Sequence, residues 1–481
     1  MSKIISFIFC SFLFSALAQN GAYIYGGTND DQGHCFATNE LGGYVFVGSE
    51  RTAIDSAEQI SIVSIDGKGN LVWKHTYGDI HHEIPEHIER TTDNGFIVVS
   101  STFDGGYSGM DYHVMKLNAE GTIEWEKFYG DYNRDDGFSI KETSDGGYII
   151  AGFSKSEEIG SYGQMYVVKT DAAGNEIWNK YIGGPGKDYA FDAIETSTGE
   201  FIITGIYAGF YDYSTFEFTE THSDILIAKL DVNGNELWTN TYGGTDNELA
   251  FQAELAPDGG FYIIGSTQSA GAGSFDIYLL KIDTDGNQEW DATYGDVGFD
   301  YGRSIDLSKD NYLYITGTTN NDLVNNKTDI IVLKLDLNGN EIWSFTFGGD
   351  ESEYGYFIRA TDDNGCAVIG STKSFGSGRE DMCFLKIDAN GLLEPLIGSE
   401  ENKVLIYPNP TLDTLNIYLL ENNECFDYTY EIMDDQGRLV YDKDKTSKFV
   451  KIDVTSFGQG TYIYRITSPC FDELSGKFIV H

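Results

Sequence analysis

One unit of about 52 residues recurs along most of this chain, and it limits the possible folds more than any other feature. Six copies carry a phrase G-x-x-x-W, most often G-N-x-x-W, followed by a YGG-like step that reads Y-G-G, Y-G-D, Y-I-G-G or F-G-G. The last copy lacks the tryptophan. The opening glycines are Gly69, Gly121, Gly174, Gly234, Gly286, Gly339 and Gly391, at spacings of 52, 53, 60, 52, 53 and 52 residues. A period this regular is typical of repeat architectures.

Each unit reads as four short strands. In the third unit they are predicted at 137–142, 147–153, 165–170 and 175–182, with turns rich in Gly, Asp and Asn between the first two and the last two. No helical period appears between them. Four antiparallel strands per unit are typical of a propeller blade. The predicted fold is therefore all-β, with a seven-bladed β-propeller over residues 19–398.

The two ends of the repeat region complement each other. The seventh unit has no tryptophan and places Pro395 where its fourth strand would form, a position that a paired strand tolerates badly. Residues 22–27, AYIYGG, match the fourth strand of a unit, but no first, second or third strand of that unit precedes them. We predict that this segment completes the seventh blade and closes the ring.

The N-terminus and the composition indicate where the protein works. Residues 1–18 combine Lys3, an apolar run and the Ala16-Leu17-Ala18 pattern, which predicts a cleaved signal peptide. No later run approaches the roughly 20 apolar residues of a transmembrane helix. With 76 acidic and 31 basic residues, the net charge of -45 excludes a nucleic-acid partner, because phosphate binding needs clustered Lys and Arg. These features predict an exported, acidic protein.

Five cysteines remain beyond the signal peptide, so at least one stays unpaired within the chain: Cys35, Cys366, Cys383, Cys425 and Cys470. An exported protein can keep disulfides, and the pair near the C-terminus, Cys425 with Cys470, is the candidate. The spacing shows no Cys or Cys/His metal motif, and no cofactor is predicted from it.

The last 80 residues break the repeat and predict a small β-sandwich. They contain Tyr407-Pro408-Asn409-Pro410, then Asp435-Gln436-Gly437-Arg438, then Gly460-Thr461-Tyr462. These motifs resemble the type A C-terminal sorting domain of type IX secretion cargo in Bacteroidetes. The resemblance implies that residues 399–481 contact the type IX machinery, and that the protein crosses the periplasm and is released or held at the outer cell surface. An ordinary carbohydrate-binding or fibronectin-like sandwich is the alternative.

The repeats themselves resemble the YGG and GN-x-x-W repeats of secreted bacterial propellers. That resemblance covers residues 22–397 and implies the fold rather than an activity, because propellers carry many functions. Variable loops on a rigid frame favour binding sites. We therefore expect ligands on the face that carries the connections from each YGG step to the next first strand.

Every unit has a carboxylate five residues after the first glycine of its YGG-like step, and these form a predicted acidic ring: Asp31, Glu83, Asp135, Asp188, Glu248, Asp300 and Glu353. Such a ring could hold Ca²⁺ or a cationic ligand. The favoured alternative is structural, in which each carboxylate accepts backbone N–H groups of its own connection.

Two regions break the sevenfold symmetry. The long fourth unit holds six aromatic residues that could stack on a sugar or another apolar ligand, or could pack within an extended hairpin: Tyr207, Phe210, Tyr211, Tyr213, Phe216 and Phe218. The connection into the second unit holds a candidate metal set: His81, His82, Glu86 and His87. That set lacks the HExxH spacing, which weakens the metal interpretation.

These features favour a non-catalytic surface module that binds a glycan, a peptide or a protein. One alternative is a polysaccharide hydrolase or lyase that uses ring carboxylates or the histidine cluster as acid and base. The other is a structural surface protein stabilised by calcium.

Overall fold

The computed structural model describes the chain in segments: 17–19, 22–26, 29–51, 58–67, 69–78, 82–103, 109–130, 133–155, 163–184, 186–207, 211–212, 217–218, 223–322, 327–376, 379–394, 404–407, 414–419, 428–434, 436–445, 449–469 and 471–480. Within these residues the secondary structure is β only, with no helix. The prediction of an all-β chain built from four-stranded units is confirmed.

The repeat region folds into consecutive four-stranded sheets after two N-terminal strands, β1 (Leu17–Gln19) and β2 (Ala22–Tyr25). The first sheet contains β3 (Asp31–Thr38), β4 (Tyr44–Glu50), β5 (Gln59–Ile65) and β6 (Leu71–Tyr77). The second contains β7 (Glu83–Arg90), β8 (Phe96–Phe103), β9 (Met110–Leu117) and β10 (Ile123–Tyr129). The third contains β11 (Asp135–Glu142), β12 (Tyr148–Ser154), β13 (Gln164–Thr170) and β14 (Glu176–Ile182).

The fourth sheet contains β15 (Tyr189–Glu195), β16 (Phe201–Tyr207), β19 (Asp224–Leu230) and β20 (Glu236–Tyr242). Between β16 and β19 in the chain, β17 (Tyr211–Asp212) and β18 (Glu217–Phe218) form a separate two-stranded hairpin. The fifth contains β21 (Glu248–Leu255), β22 (Phe261–Thr267), β23 (Asp276–Ile282) and β24 (Gln288–Tyr294). The sixth contains β25 (Asp300–Leu307), β26 (Leu313–Asp322), β27 (Lys327–Leu335) and β28 (Glu341–Phe347). The seventh contains β29 (Glu353–Ala360), β30 (Cys366–Thr372) and β31 (Asp381–Ile387).

The seventh sheet takes its remaining strands from the N-terminus. Strand β2 pairs antiparallel with β31, with Tyr23 opposite Phe384 and Ile24 opposite Cys383, and β1 pairs with β2. Leu17 and Ala18 of β1 belong to the predicted signal peptide, so cleavage there would leave β2 as the strand that completes this sheet in the mature chain. The neighbouring first sheet packs against this one, since Phe384 lies 4.8 Å from the ring of Phe46 between centroids. The first strand of each sheet contacts the first strand of the next, and β29 contacts β3. The sheets thus have a propeller-like arrangement with the first strands innermost.

The repeated phrase stabilises the contact between neighbouring sheets. The indole Nε1 of Trp343 donates to the backbone oxygen of Ala389, 3.1 Å away, in the following sheet. Gly391 in that same turn has φ of +83°, and a Cβ on it would lie 2.9 Å from the Trp343 ring. Trp178 repeats the arrangement with the turn at Gly234. The tryptophan of one unit therefore needs the glycine of the next, which explains why the two recur together.

The C-terminal residues form two further sheets. One contains β32 (Val404–Tyr407), β33 (Thr414–Leu419) and β36 (Phe449–Asp453), and the other contains β34 (Tyr428–Met433), β35 (Leu439–Lys445), β37 (Gly460–Ser468) and β38 (Phe471–Val480). Side chains from both sheets share one hydrophobic cluster, which includes Ile417, Tyr430 and Ile466. This module therefore has a core of its own.

Candidate functional site

Each of the seven innermost strands contains an irregularity at the same place. The register shifts near the start of the unit's first strand, for example between Gly302 and Ser304 or between Ala190 and Asp192, so that one residue has no cross-strand partner. The residues at these positions form what we call the bulge ring: His34, Glu86, Phe138, Phe191, Phe251, Arg303 and Tyr356. β-Bulges redirect a side chain and are frequent beside binding sites.

Three neighbours in the bulge ring form a continuous aromatic arc. The ring centroids of Phe138 and Phe191 lie 5.0 Å apart, and those of Phe191 and Phe251 lie 5.3 Å apart. Phe191 is half-buried, while Tyr189 and Phe275 belong to the hydrophobic clusters behind the arc. Phe138 and Phe251 are buried, at 9% and 8% exposure, so the arc is supported from behind and meets solvent through Phe191.

The other four members of the bulge ring are polar. The guanidinium of Arg303 lies 4.4 Å from the centroid of Phe251, at one end of the aromatic arc. His34 and Tyr356 stack, with centroids 5.8 Å apart and an interplanar angle of 11°. Glu86 comes from the second sheet, yet the positive charge of Arg303 in the sixth sheet acts to lower its pKa. The polar side chains therefore interact across the centre of the domain.

Burial determines the protonation of the polar arc. It raises the pKa of Glu86 to about 8, with a smaller contribution from the nearby Asp136, while Arg303 opposes the rise. It also lowers the pKa of His34 to about 4. The Nε2 atom of His34 is buried without a hydrogen-bond partner. At neutral pH the protonated carboxyl of Glu86 and the neutral imidazole of His34 therefore dominate, and Arg303 carries the positive charge.

A second group of charged side chains lies three residues farther along the same strands, and we call it the inner charged ring: Glu89, Lys141, Glu254, Asp306 and Arg359. Asp192 joins it, since its carboxylate lies 2.8 Å from Nζ of Lys141 and accepts the N–H of Ala253 at 3.1 Å. Burial, followed by the charge of Asp306, raises the pKa of Glu254 to about 8. These charges compensate one another within the ring.

The predicted acidic ring lies at the start of the innermost strands, and all seven carboxylates are buried. Several accept backbone N–H groups of their own connections: Glu248 from Gly244 at 2.7 Å and Glu353 from Gly349 at 2.8 Å. Asp300 accepts from the N–H of Asp296 at 2.9 Å. These contacts support the structural alternative for the acidic ring.

The predicted metal set is only partly described. His81 lies outside the described residues, and His82 is exposed. His87 is buried on β7, where its Nδ1 lies 2.9 Å from the backbone oxygen of Ile140, and Glu86 belongs to the bulge ring. The part of the chain that the structure describes contains no group of three or more His, Cys, Asp or Glu side chains placed to hold a metal. Metal binding by this set stays a prediction.

The predicted aromatic loop is described only in its backbone beyond Tyr207. Tyr211 pairs with Phe218 in the β17–β18 hairpin, whereas Phe210, Tyr213 and Phe216 lie outside the described residues. Tyr207 packs on Gly184, where an added Cβ would lie 2.7 Å from its ring. Both interpretations of this loop, a ligand platform and a self-packed hairpin, stay predictions.

The remaining predicted positions concern the cysteines and the sorting motif. Cys35, Cys366 and Cys383 are buried free thiols, and burial raises the pKa of Cys35 to about 12. Cys425 and Cys470 lie outside the described residues, so their disulfide is still a prediction. In the sorting motif, Tyr407 ends β32, Pro408, Asn409 and Pro410 lie outside the described residues, and Tyr462 Oη donates to the backbone oxygen of Gly458 at 2.7 Å.

The sequence analysis missed the bulge ring, although a signal for it was present. Each ring member stands three residues after the acidic-ring carboxylate of its unit, at a constant offset. The acidic-ring position holds a carboxylate in every unit, but at this later position the units diverge from histidine to phenylalanine to arginine. A position that varies within otherwise regular repeats is where symmetry is broken.

Comparison with known proteins assigns the C-terminal module. The family profile of the secretion system C-terminal sorting domain matches residues 405–481. This match confirms the predicted sorting domain. The protein is therefore exported by type IX secretion to the cell surface or beyond it. Among the described residues, no helix is long and apolar enough to cross a membrane.

Three further similarities are distant. The chain is 25% identical over 193 residues to the regulatory protein FlaEY of Caulobacter vibrioides, a match covering 37% of this chain and 18% of that protein. A crystal structure of puromycin hydrolase is 12% identical with a TM-score of 0.46, covering 92% of this chain and 60% of that one. PorZ, a surface component of the type IX secretion system of Porphyromonas gingivalis, is 10% identical with a TM-score of 0.29, covering 97% of this chain and 86% of PorZ.

Proposed function

We propose that this exported chain is a non-catalytic binding protein whose ligand contacts the bulge ring. In this proposal a signal peptide occupies residues 1–18, a seven-bladed β-propeller of the YGG and GN-x-x-W type occupies 19–398, and a type A sorting β-sandwich of the Bacteroidetes kind occupies 399–481. The ligand is a glycan, a peptide or a protein that enters from the face of the YGG connections.

The observation that carries the proposal is the contrast between neighbouring positions of the innermost strands. The acidic ring keeps a carboxylate in every unit, as a structural role requires. The bulge ring instead combines an arc of three phenylalanines with a polar arc that contains Arg303, Tyr356 and His34. An apolar surface beside a few convergent polar groups is the usual composition of a ligand site.

Binding is favoured over hydrolysis because groups suited to nucleophilic catalysis are already engaged. The hydroxyl of Ser139 donates to Asp192 at 2.8 Å, and that of Ser304 donates to Gln252 at 2.7 Å. His87 is a poor base, because its burial lowers its pKa to about 3. These side chains support the innermost strands.

The test is binding of the mature protein to glycan and peptide arrays, with three variants. We expect Phe191→Ala and Arg303→Gln to weaken the strongest signal at least fivefold. Phe128→Ala is the matched control, because Phe128 is 56% exposed on the outer strand β10. A ligand that binds the parent and all three variants equally would contradict the bulge ring as the site.

One observation favours a second function, a polysaccharide hydrolase or lyase. A carboxyl group whose pKa is about 8, as at Glu86, is protonated at neutral pH and suits a general acid. Polysaccharide cleavage that Glu86→Gln abolishes would establish this activity. The role of a calcium-stabilised structural protein predicts instead that a chelator lowers the melting temperature.

A further inference from the structure

The acidic-ring carboxylate of the second unit is bonded differently from its counterparts. In Glu248 of the fifth unit both carboxylate oxygens accept hydrogen bonds, Oε1 from the hydroxyl of Thr267 and Oε2 from the N–H of Gly244. In Glu83 only Oε1 accepts one, from the hydroxyl of Thr102 at 2.7 Å. Its Oε2 is buried and has no hydrogen-bond partner. An unsatisfied buried carboxylate oxygen costs stability, so this atom gains from any ligand that reaches it.

A histidine that no other unit carries at this position lies opposite that oxygen. The imidazole of His113, on β9, places Nδ1 3.7 Å from Oε2 of Glu83. This Nδ1 is also buried without a hydrogen-bond partner, and each of the two side chains is 5% exposed. Eight residues before the opening glycine, where the second unit has His113, the other units have Ser, Tyr, Leu, Tyr, Ile and Cys. The pair therefore breaks the sevenfold symmetry.

A second carboxylate determines which ring nitrogen carries the proton. Nε2 of His113 lies 3.3 Å from Oε2 of Glu126, a residue of the outer strand β10 whose side chain is 53% exposed. A carboxylate only accepts hydrogen bonds, so Nε2 is the donor. In a neutral imidazole Nδ1 then has a lone pair, and this lone pair faces those of the Glu83 oxygen. The Phe128 ring stacks on the imidazole at 4.6 Å and 7°, which holds this orientation.

Two buried acceptors that face each other repel unless a cation or a proton donor lies between them. A water donating to both would hold them about 4.4 Å apart. Zn²⁺ binds imidazole nitrogen and carboxylate oxygen at about 2.0–2.2 Å, so two of its tetrahedral ligands lie about 3.4 Å apart. The observed 3.7 Å is closer to the separation for a metal. A carboxylate on the other ring nitrogen is also the usual orienting group of a metal-bound histidine, and Glu126 occupies that position.

We propose that Glu83 and His113 bind a divalent transition-metal ion such as Zn²⁺, with Glu126 as a positioning residue. Imidazole suits Zn²⁺ and its neighbours in the first transition row, whereas Ca²⁺ and Mg²⁺ prefer oxygen ligands. The two protein donors leave the remaining ligand positions to water. The site is distinct from the metal set predicted from the sequence, because His113 lies on β9 and not in the connection that carries His82. The ion joins the start of β7 to β9 across β8.

The experiment is calorimetric titration of the mature full chain with zinc chloride, and with calcium chloride as the comparison. We expect a Zn²⁺ site that His113→Phe and Glu83→Gln each remove, and no corresponding signal with Ca²⁺. Glu126→Gln should weaken the Zn²⁺ affinity about 10- to 100-fold, the range for losing an orienting carboxylate. Glu248→Gln is the matched control, because it changes the same position of a unit in which both oxygens are already hydrogen-bonded. His82→Gln should leave the affinity unchanged.

Three outcomes would overturn the proposal. The parent protein binds no Zn²⁺, or it binds Zn²⁺ no more tightly than His113→Phe does, or His82→Gln alone abolishes binding and so assigns the ion to the set predicted from the sequence. A parent that binds no metal, but whose stability depends on pH in a way that His113→Phe abolishes, holds a proton in this contact instead. Because Glu126 is exposed, Glu126→Gln should fold even where a buried change does not, and an unchanged affinity of that variant would count against the site.

Discussion

The N-terminal strand should stabilise two junctions between sheets at once. Successive side chains of a strand point to opposite faces of the sheet, and the two successive side chains Ile24 and Tyr25 of β2 are both buried. Ile24 is 2% exposed and belongs to a cluster with Ile330 of the sixth sheet and Leu385 of the seventh. Tyr25 is also 2% exposed, and its ring lies 5.5 Å from that of Phe46 in the first sheet. Truncating either side chain should therefore destabilise the packing of β2 against the neighbouring sheets.

We expect Ile24→Ala to lower the free energy of unfolding by about 2–5 kcal/mol, the range for removing a large aliphatic side chain from a packed core. Val72→Ala is the matched control, because Val72 lies on the fourth strand of the first sheet but is 44% exposed, and it should change stability by less than about 0.5 kcal/mol. Urea unfolding followed by tryptophan fluorescence measures the stability of both variants. The six tryptophans lie in the outer strands of the first six sheets and report the unfolding of the repeat region. Equal urea midpoints for the two variants would refute the argument that β2 holds the ring closed.

Three further changes test other parts of the structure. Glu86→Gln should have no effect below about pH 4.5 in urea titrations and should stabilise the protein increasingly between about pH 4.5 and pH 8, because in that window the carboxyl ionises in the unfolded chain but stays protonated in the folded one. Above about pH 8 the gain should be constant. Gly391→Ala should lower the melting temperature more than Gly437→Ala, since both have positive φ but a Cβ meets the neighbouring tryptophan only at Gly391. Asp192→Ala should cost about 3 kcal/mol in urea unfolding by leaving the Lys141 ammonium uncompensated, and the double change with Lys141→Met should recover part of the loss.

The sequence was sufficient to predict the strands because each unit repeats its turn chemistry. In the third unit, Asp171 accepts from the N–H groups of Ala173 and Asn175 at 2.9 and 2.8 Å, and Gly174 has φ of +72°. These local bonds fix the turn whatever the surrounding contacts are. The predicted strand at 165–170 is accordingly observed as β13, Gln164–Thr170. The sorting domain was equally accessible, because its ordered motifs are contiguous in sequence.

The candidate site could not be predicted from the sequence in the same way, because it is assembled from one residue per unit. Phe138 and Phe191 are more than 50 residues apart, and only the packing of adjacent first strands brings their rings to 5.0 Å. Glu86 and Arg303 interact from opposite sides of the domain. The sequence analysis placed Glu86 with neighbouring histidines, since these are close in the chain. On β7, however, successive side chains diverge, and His87 contacts Ile140 instead.

The bulges also explain how such a site can exist in a strongly repetitive protein. A residue at a bulge has no cross-strand partner, so changing it removes no pair from the ladder. The residue before the bulge, in contrast, has no room for a side chain in the sixth sheet. At Gly302 a Cβ would lie 2.6 Å from the backbone oxygen of Gly265 in the preceding sheet. Arg303, one residue later, is half-buried and stands outside that constraint. Arg303→Gln should therefore cost much less stability than Ile24→Ala while it changes ligand binding more, a separation of effects that identifies the bulge ring as the variable part of a fixed frame.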